Sequence, residues 1–81
     1  MVILNHKYNE GDIVWFVDED ANSVYAERGT IVAFKKNGDM VVNFYAGMLV
    51  FTKEDIFPTK EECEKHIYLS KIAKELKDGT K

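Results

Sequence analysis

Thr30-Ile31-Val32-Ala33-Phe34-Lys35-Lys36-Asn37-Gly38-Asp39-Met40-Val41-Val42-Asn43-Phe44-Tyr45 is the stretch on which the fold class turns. Two runs rich in β-branched and aromatic residues flank Asn37-Gly38, a pair that accepts the positive φ of a type I′ turn, so the segment predicts a tight β-hairpin. A two-residue loop sets Lys36 opposite Asp39. Counting outward, Lys35 meets Met40, Ala33 meets Val42 and Ile31 meets Phe44. Facing partners share a side of the sheet, and this set is the expected interior. The other side, Phe34 with Val41, Val32 with Asn43 and Thr30 with Tyr45, is still half apolar, so something must cover part of it.

The same texture extends in both directions. Upstream, Gly11-Asp12 leads into Ile13-Val14-Trp15-Phe16-Val17, the polar segment Asp18 to Ser23 forms a loop, and Val24-Tyr25-Ala26 runs up to Arg28-Gly29. Downstream, Ala46-Gly47 turns the chain into Met48 to Thr52. Five short strands with tight turns predict a small barrel or sandwich. The first strand has apolar residues on both sides, Val14 and Phe16 on one, Ile13, Trp15 and Val17 on the other.

A helix then follows over 59–78. Pro58-Thr59-Lys60-Glu61-Glu62 carries the spacing of a capping box between Thr59 and Glu62, and Gly79 supplies a stop. At 100° per residue, Cys63, His66, Ile67, Leu69, Ser70, Ala73 and Leu76 fall on the docking half, with Tyr68 and Ile72 towards the far side.

With 81 residues the chain makes one domain, a β-barrel over 8–58 and the helix over 59–78, between terminal segments 1–7 and 79–81. Apolar residues at 46% and charged residues at 31% argue against a disordered or membrane-spanning chain, and one proline with five glycines rules out a fibrous one. The net charge of −3 is unevenly spread: residues 8–27 hold Glu10, Asp12, Asp18, Glu19, Asp20 and Glu27 without a lysine or arginine. A phosphate backbone would be repelled there. One cysteine, Cys63, permits no internal disulfide and fits a reducing compartment. Met1-Val2-Ile3-Leu4 lacks the basic flank and length of a signal peptide, and no apolar run approaches a membrane span, so a cytoplasmic protein is expected.

Chemistry-bearing patterns are incomplete. Asp18, Asp20 and Asn22 open like a calcium loop, but Ser23 stands where that loop needs glycine and Gly29 where it needs a bidentate glutamate. Cys63 and His66 lie three apart on the helix without a second ligand pair. As a nucleophile Cys63 would have the helix N-terminus to lower its pKa but no oriented base. Glu54 and Asp55, ahead of Ile56-Phe57, read as a polar link into the helix. No phosphate loop or nucleophile elbow occurs. The expectation is therefore a non-enzyme with no catalytic residues, metal or cofactor.

Gly11-Asp12-Ile13-Val14-Trp15 resembles the opening of SH3-like barrels, including KOW, Tudor and PWWP modules, and Arg28-Gly29-Thr30-Ile31-Val32 is similar to their entry into a middle strand. Asp55-Ile56-Phe57-Pro58-Thr59-Lys60-Glu61-Glu62-Cys63 looks like the strand-to-helix link of short bacterial and prophage proteins that append a helix to such a barrel. The resemblance covers roughly residues 8–77 as a pattern. It implies a mainly β fold, a five-stranded SH3-like barrel with one C-terminal α-helix. KOW-type nucleic-acid binding would imply a basic surface, whereas residues 12–55 hold eight acids and four bases. A Tudor-like cage would need Trp15 and Tyr25, with Tyr45, to converge around a cation.

Two functions follow from charge and aromatic content. The leading expectation is a protein-binding module that presents Trp15, Tyr25, Phe34 and Tyr45 to a partner, with Asp18, Glu19 and Asp20 as a steering rim. The alternative is nucleic-acid-directed: an acidic inhibitor of a nucleic-acid-binding protein, or a barrel binding nucleic acid directly through Lys35, Lys36 and Lys53, a poor footprint among so many acids.

Overall fold

The computed structural model describes residues 7–79, with side chains described through residue 74. The expectation for Leu76 and most of both terminal segments lies outside the described residues. The chain is mainly β, five antiparallel strands followed by one helix: β1 (Ile13–Glu19), β2 (Val24–Phe34), β3 (Met40–Phe44), β4 (Gly47–Phe51), β5 (Ile56–Phe57) and α1 (Lys60–Gly79). The strands form one sheet in the order β4-β3-β2-β1-β5. No pairing joins β4 to β5 among the described residues, so the expected barrel is an unclosed sheet.

That sheet is nevertheless strongly curled. Phe16 in β1 and Phe51 in β4 are three strands apart, about 14 Å in a flat sheet at ~4.8 Å per strand, yet their ring centroids are 4.7 Å apart. Phe44 in β3 also meets Phe16 edge-on at 5.1 Å. The concave side encloses Val14, Phe16, Ile31, Met40, Val42 and Ile56, with Tyr8, Phe44 and Phe51 packed against them.

Two features of β2 make this curl possible. The first is Gly29. The sequence pattern has it separating two strands, but an eleven-residue strand runs straight through it. Gly29 is buried. A Cβ there would collide with Val42 Cγ1 and press on the Asn43 carbonyl oxygen at 3.1 Å and Phe16 Cε1 at 3.3 Å. Only glycine lets the β2 backbone come this close to β3 and the core.

The second feature is a bulge between Ile31 and Ala33. The Asn37-Gly38 hairpin has a three-residue loop, not the expected two-residue one. Lys35 N donates to the Asp39 carbonyl at 2.8 Å and Gly38 N to the Lys35 carbonyl at 3.0 Å. Gly38 has a φ of +95° while Asn37 is not left-handed, which excludes type I′ and matches a type I turn closed by a glycine bulge. Relative to expectation the pairing slips by one residue, giving Phe34↔Met40. The bulge slips it by one more, giving Ile31↔Val42. Two slips restore parity, which is why Ile31, Met40 and Val42 are buried as expected although none has its expected partner.

The fifth strand is Ile56-Phe57, expected as a link. It pairs with β1 through Phe16↔Ile56 and Trp15↔Phe57. Alternation sends Ile56 into the core and Phe57 to the convex side, where its ring lies 5.1 Å from that of His66 on α1.

Helix α1 starts as the sequence predicts. Glu62 N donates to Thr59 Oγ1 at 3.2 Å, satisfying a backbone donor at the helix N-terminus. It packs on β1, β2 and β5, with Cys63 buried and Ile67 half-buried. Beyond the first turns the expected docking face fails. Leu69 is 53% exposed, and His66, Ser70 and Ala73 are exposed too, while Ile72 is half-buried. Ile13, Val17, Val32 and Phe34 on the strands remain exposed as well, so the helix leaves part of the apolar strand surface uncovered.

Candidate functional site

Side-chain alternation along β1 puts Val14, Phe16 and Asp18 on one side, and the core ends at Phe16. Across the strand pair, Phe16 faces Glu27 and Asp18 faces Tyr25. Asp18, Tyr25 and Glu27 are therefore the polar rim of the concave side. Tyr25 Oη donates to Asp18 Oδ2 at 3.4 Å, and Glu19 N donates to Asp18 Oδ1 at 2.9 Å.

Tyr45 completes this rim from the β3–β4 turn. Its ring meets Phe44 edge-on at 5.6 Å, and Phe44 meets Phe16 edge-on, so three rings run in series from core to solvent. Tyr45 is 77% exposed at the end of that series. The Tyr45 hydroxyl lies beside that of Tyr25. Hydrogen bonding with Tyr45, followed by partial burial and the charges of Asp18 and Glu27, pushes the Tyr25 hydroxyl up to about 12. The result is a pair of phenol rings beside two carboxylates.

The β1–β2 loop is built by Asp20. Its Oδ1 accepts from Asn22 N and Ser23 N, both at 2.8 Å, and from Ser23 Oγ at 3.3 Å. The backbone bonds come first among the causes that hold this carboxyl below its ordinary range. The Asp20 oxygen read as part of a calcium-loop opening is thus turned onto its own loop. Glu19 and Asp20 are exposed at its tip. On the far side of the tip, a groove of about 950 Å³ runs between the loop and α1, lined among others by Val17, Val24, Phe57 and Ile67.

Trp15 and Phe34 do not join the tyrosines. Trp15 is half-buried on the convex side, across from Arg28 and Phe57, with Lys60 Nζ 5.8 Å from its ring centroid. Phe34, 41% exposed, ends β2 at the end opposite Tyr25. The site that forms is Asp18, Tyr25 and Tyr45, joined by Glu27, which the sequence reading did not single out. Its signal was the register Phe16↔Glu27, hidden once the strand was expected to break at Arg28-Gly29.

Cys63 and His66 differ in setting. Cys63 is buried, and burial followed by the Glu64 charge pushes its thiol up to about 11, overriding the helix N-terminus. His66 is exposed. Among the described residues no group of three or more His, Cys, Asp or Glu is placed to hold a metal, and no helix is long and apolar enough to cross a membrane. Compared with known proteins, the chain matches no family model, no curated protein and no solved structure.

Proposed function

We propose that the chain is a non-enzymatic protein-binding module whose Tyr25–Tyr45 pair, with Asp18 and Glu27 beside it, receives a basic side chain from a protein partner. The observation that carries this reading is Tyr45, an aromatic ring 77% exposed to solvent yet fixed from behind by Phe44 and from the side by Tyr25. An ordered ring costs little entropy on binding. Its face attracts a cation, and the adjacent carboxylates strengthen that attraction and disfavour an anionic partner. Glu19 and Asp20 at the loop tip extend the negative field and speed the encounter.

The same reading takes the curled sheet as an SH3-like barrel open between β4 and β5, of the kind its sequence resembles in short bacterial and prophage proteins. A protonated, buried thiol at Cys63 fits the reducing cytoplasm.

The test is an amide-resolved NMR titration with a synthetic decapeptide of alternating arginine and alanine, repeated with glutamine in place of arginine. Shifts centred on Asp18, Tyr25, Glu27 and Tyr45 with the arginine peptide alone are expected. Shifts confined to Lys35, Lys36 and Lys53 on adding a mixed-sequence oligonucleotide, with none from the peptide, would replace this reading with direct nucleic-acid binding.

A further inference from the structure

The two edges of the sheet are treated differently. Native proteins blunt exposed edges with short strands, proline, charge or a covering element, because an open row of backbone donors and acceptors templates pairing with another chain. At one edge β5 is two residues long, is followed by Pro58 and has α1 packed against it. At the other, β4 is five residues long, Gly47-Met48-Leu49-Val50-Phe51, and among the described residues it has none of these devices. It belongs to the run Met40 to Thr52, which contains no charged residue and no proline. Among the described residues only β3 pairs with β4. Met48 is 65% exposed, Leu49 46% and Val50 49%. Leu49 is the telling case: opposite the fully buried Val42, it belongs to the core side, yet nearly half of it meets solvent along the open seam.

We propose that β4 pairs antiparallel with β4 of a second copy of this chain, forming a two-fold symmetric dimer with a continuous sheet. Charge selects the occupant. Each copy carries −3, and residues 8–27 hold six acids and no base, so two copies that meet through that lobe bring like charges together. The β3–β4 hairpin approaches its own copy without repulsion. A two-fold centred on Leu49 sets Leu49 against Leu49 and Met48 against Val50, so the strand is complementary to itself. A ladder of this length buries less than the roughly 1,200 Å² of stable complexes, which makes the dimer weak, with a dissociation constant on the order of tens of micromolar. The Tyr25–Tyr45 site is not needed for it.

Sedimentation equilibrium of the full chain over a wide concentration range tests this, alongside Val50→Lys and Met48→Lys, with Val50→Thr as the strand-compatible control. The wild type and Val50→Thr should show a monomer–dimer equilibrium. Each lysine variant should weaken it by at least about tenfold with an unchanged circular-dichroism spectrum. Both positions face outward and are exposed, so loss of fold in one variant leaves the other to decide. A monomer at every concentration, a dimer indifferent to both lysine substitutions, open-ended aggregates, or a dimer that appears only after deletion of residues 1–6 would each overturn the proposal.

Discussion

Replacing Gly29 with alanine tests the packing that curls the sheet. The added Cβ has Val42 Cγ1 within the closest approach that real Cβ atoms make, the Asn43 carbonyl oxygen at 3.1 Å and Phe16 Cε1 at 3.3 Å. None of these yields easily. Val42 is β-branched, stiff about χ1 and fully buried, and Phe16 is held by Phe44 and Phe51. Overpacking of this kind costs about 1–3 kcal/mol, offset by about 0.5–1 kcal/mol from the lower backbone entropy that alanine loses on folding. The expected net loss is about 1–2 kcal/mol, a fall in Tm of roughly 5–15 °C for a domain of this size. Urea and thermal unfolding followed by circular dichroism measure it. Val42→Ala alone should cost about 2–3 kcal/mol through a cavity, but in the double variant the Cβ added at position 29 enters the space vacated by Cγ1. The pair should therefore fall short of additivity by about 1 kcal/mol or more. A Gly29→Ala variant as stable as the wild type, or strict additivity, would refute the close approach.

Two further expectations concern the helix start and the tyrosine pair. Thr59→Ala removes the acceptor for Glu62 N at an exposed cap and should cost about 1 kcal/mol in urea unfolding, while Thr59→Ser should cost far less. Tyr25, pushed up to about 12 chiefly by its bond with Tyr45, holds its proton more tightly folded than unfolded. Its contribution is complete below pH 10 and lost as pH rises from 10 to about 12. In an absorbance titration of tyrosinate, Tyr45→Phe should bring the Tyr25 step down towards its ordinary value and leave Tyr8, raised by burial and Glu62, where it is.

The strand texture, the sides of β1 and β3, the buried place of Ile31 and the start of α1 were legible because each is local, whereas the bulge in β2 reverses the expected sides of Ala33, now opposite Val41, and Phe34, now opposite Met40. Val14 and Phe16 alternate with Trp15, and Thr59 sits three residues before Glu62. What the sequence hid depends on distant neighbours. Gly29 reads as punctuation until the proximity of Val42 shows why a strand needs it. Ile56-Phe57 is too short for any periodicity, and only its pairing with β1 makes it a strand. The helix was assigned a docking face along its whole length because amphipathic spacing says nothing about which of its residues find a partner on the sheet. For the candidate site, Tyr25, Tyr45 and Asp18 were recognisable as residue types. Their convergence without Trp15 followed from β2 running unbroken past Gly29, which puts Glu27 and Tyr25 beside Phe16 and Asp18.

The central claim is that Tyr45 is a binding residue and Trp15 a structural one, and one comparison tests it directly. The arginine decapeptide is titrated into Tyr45→Ala and Trp15→Ala, with Tm measured on both. Tyr45 is 77% exposed and its replacement leaves the net charge at −3, so Tyr45→Ala should lose only the small part of its Tm that the Phe44 and Tyr25 contacts supply and lose about tenfold or more in affinity. Trp15→Ala, opening space between β1 and Lys60, should lower Tm by several degrees and bind as the wild type while folded. Equal affinity of Tyr45→Ala and wild type would contradict the claim, because it would reduce the binding to net charge alone.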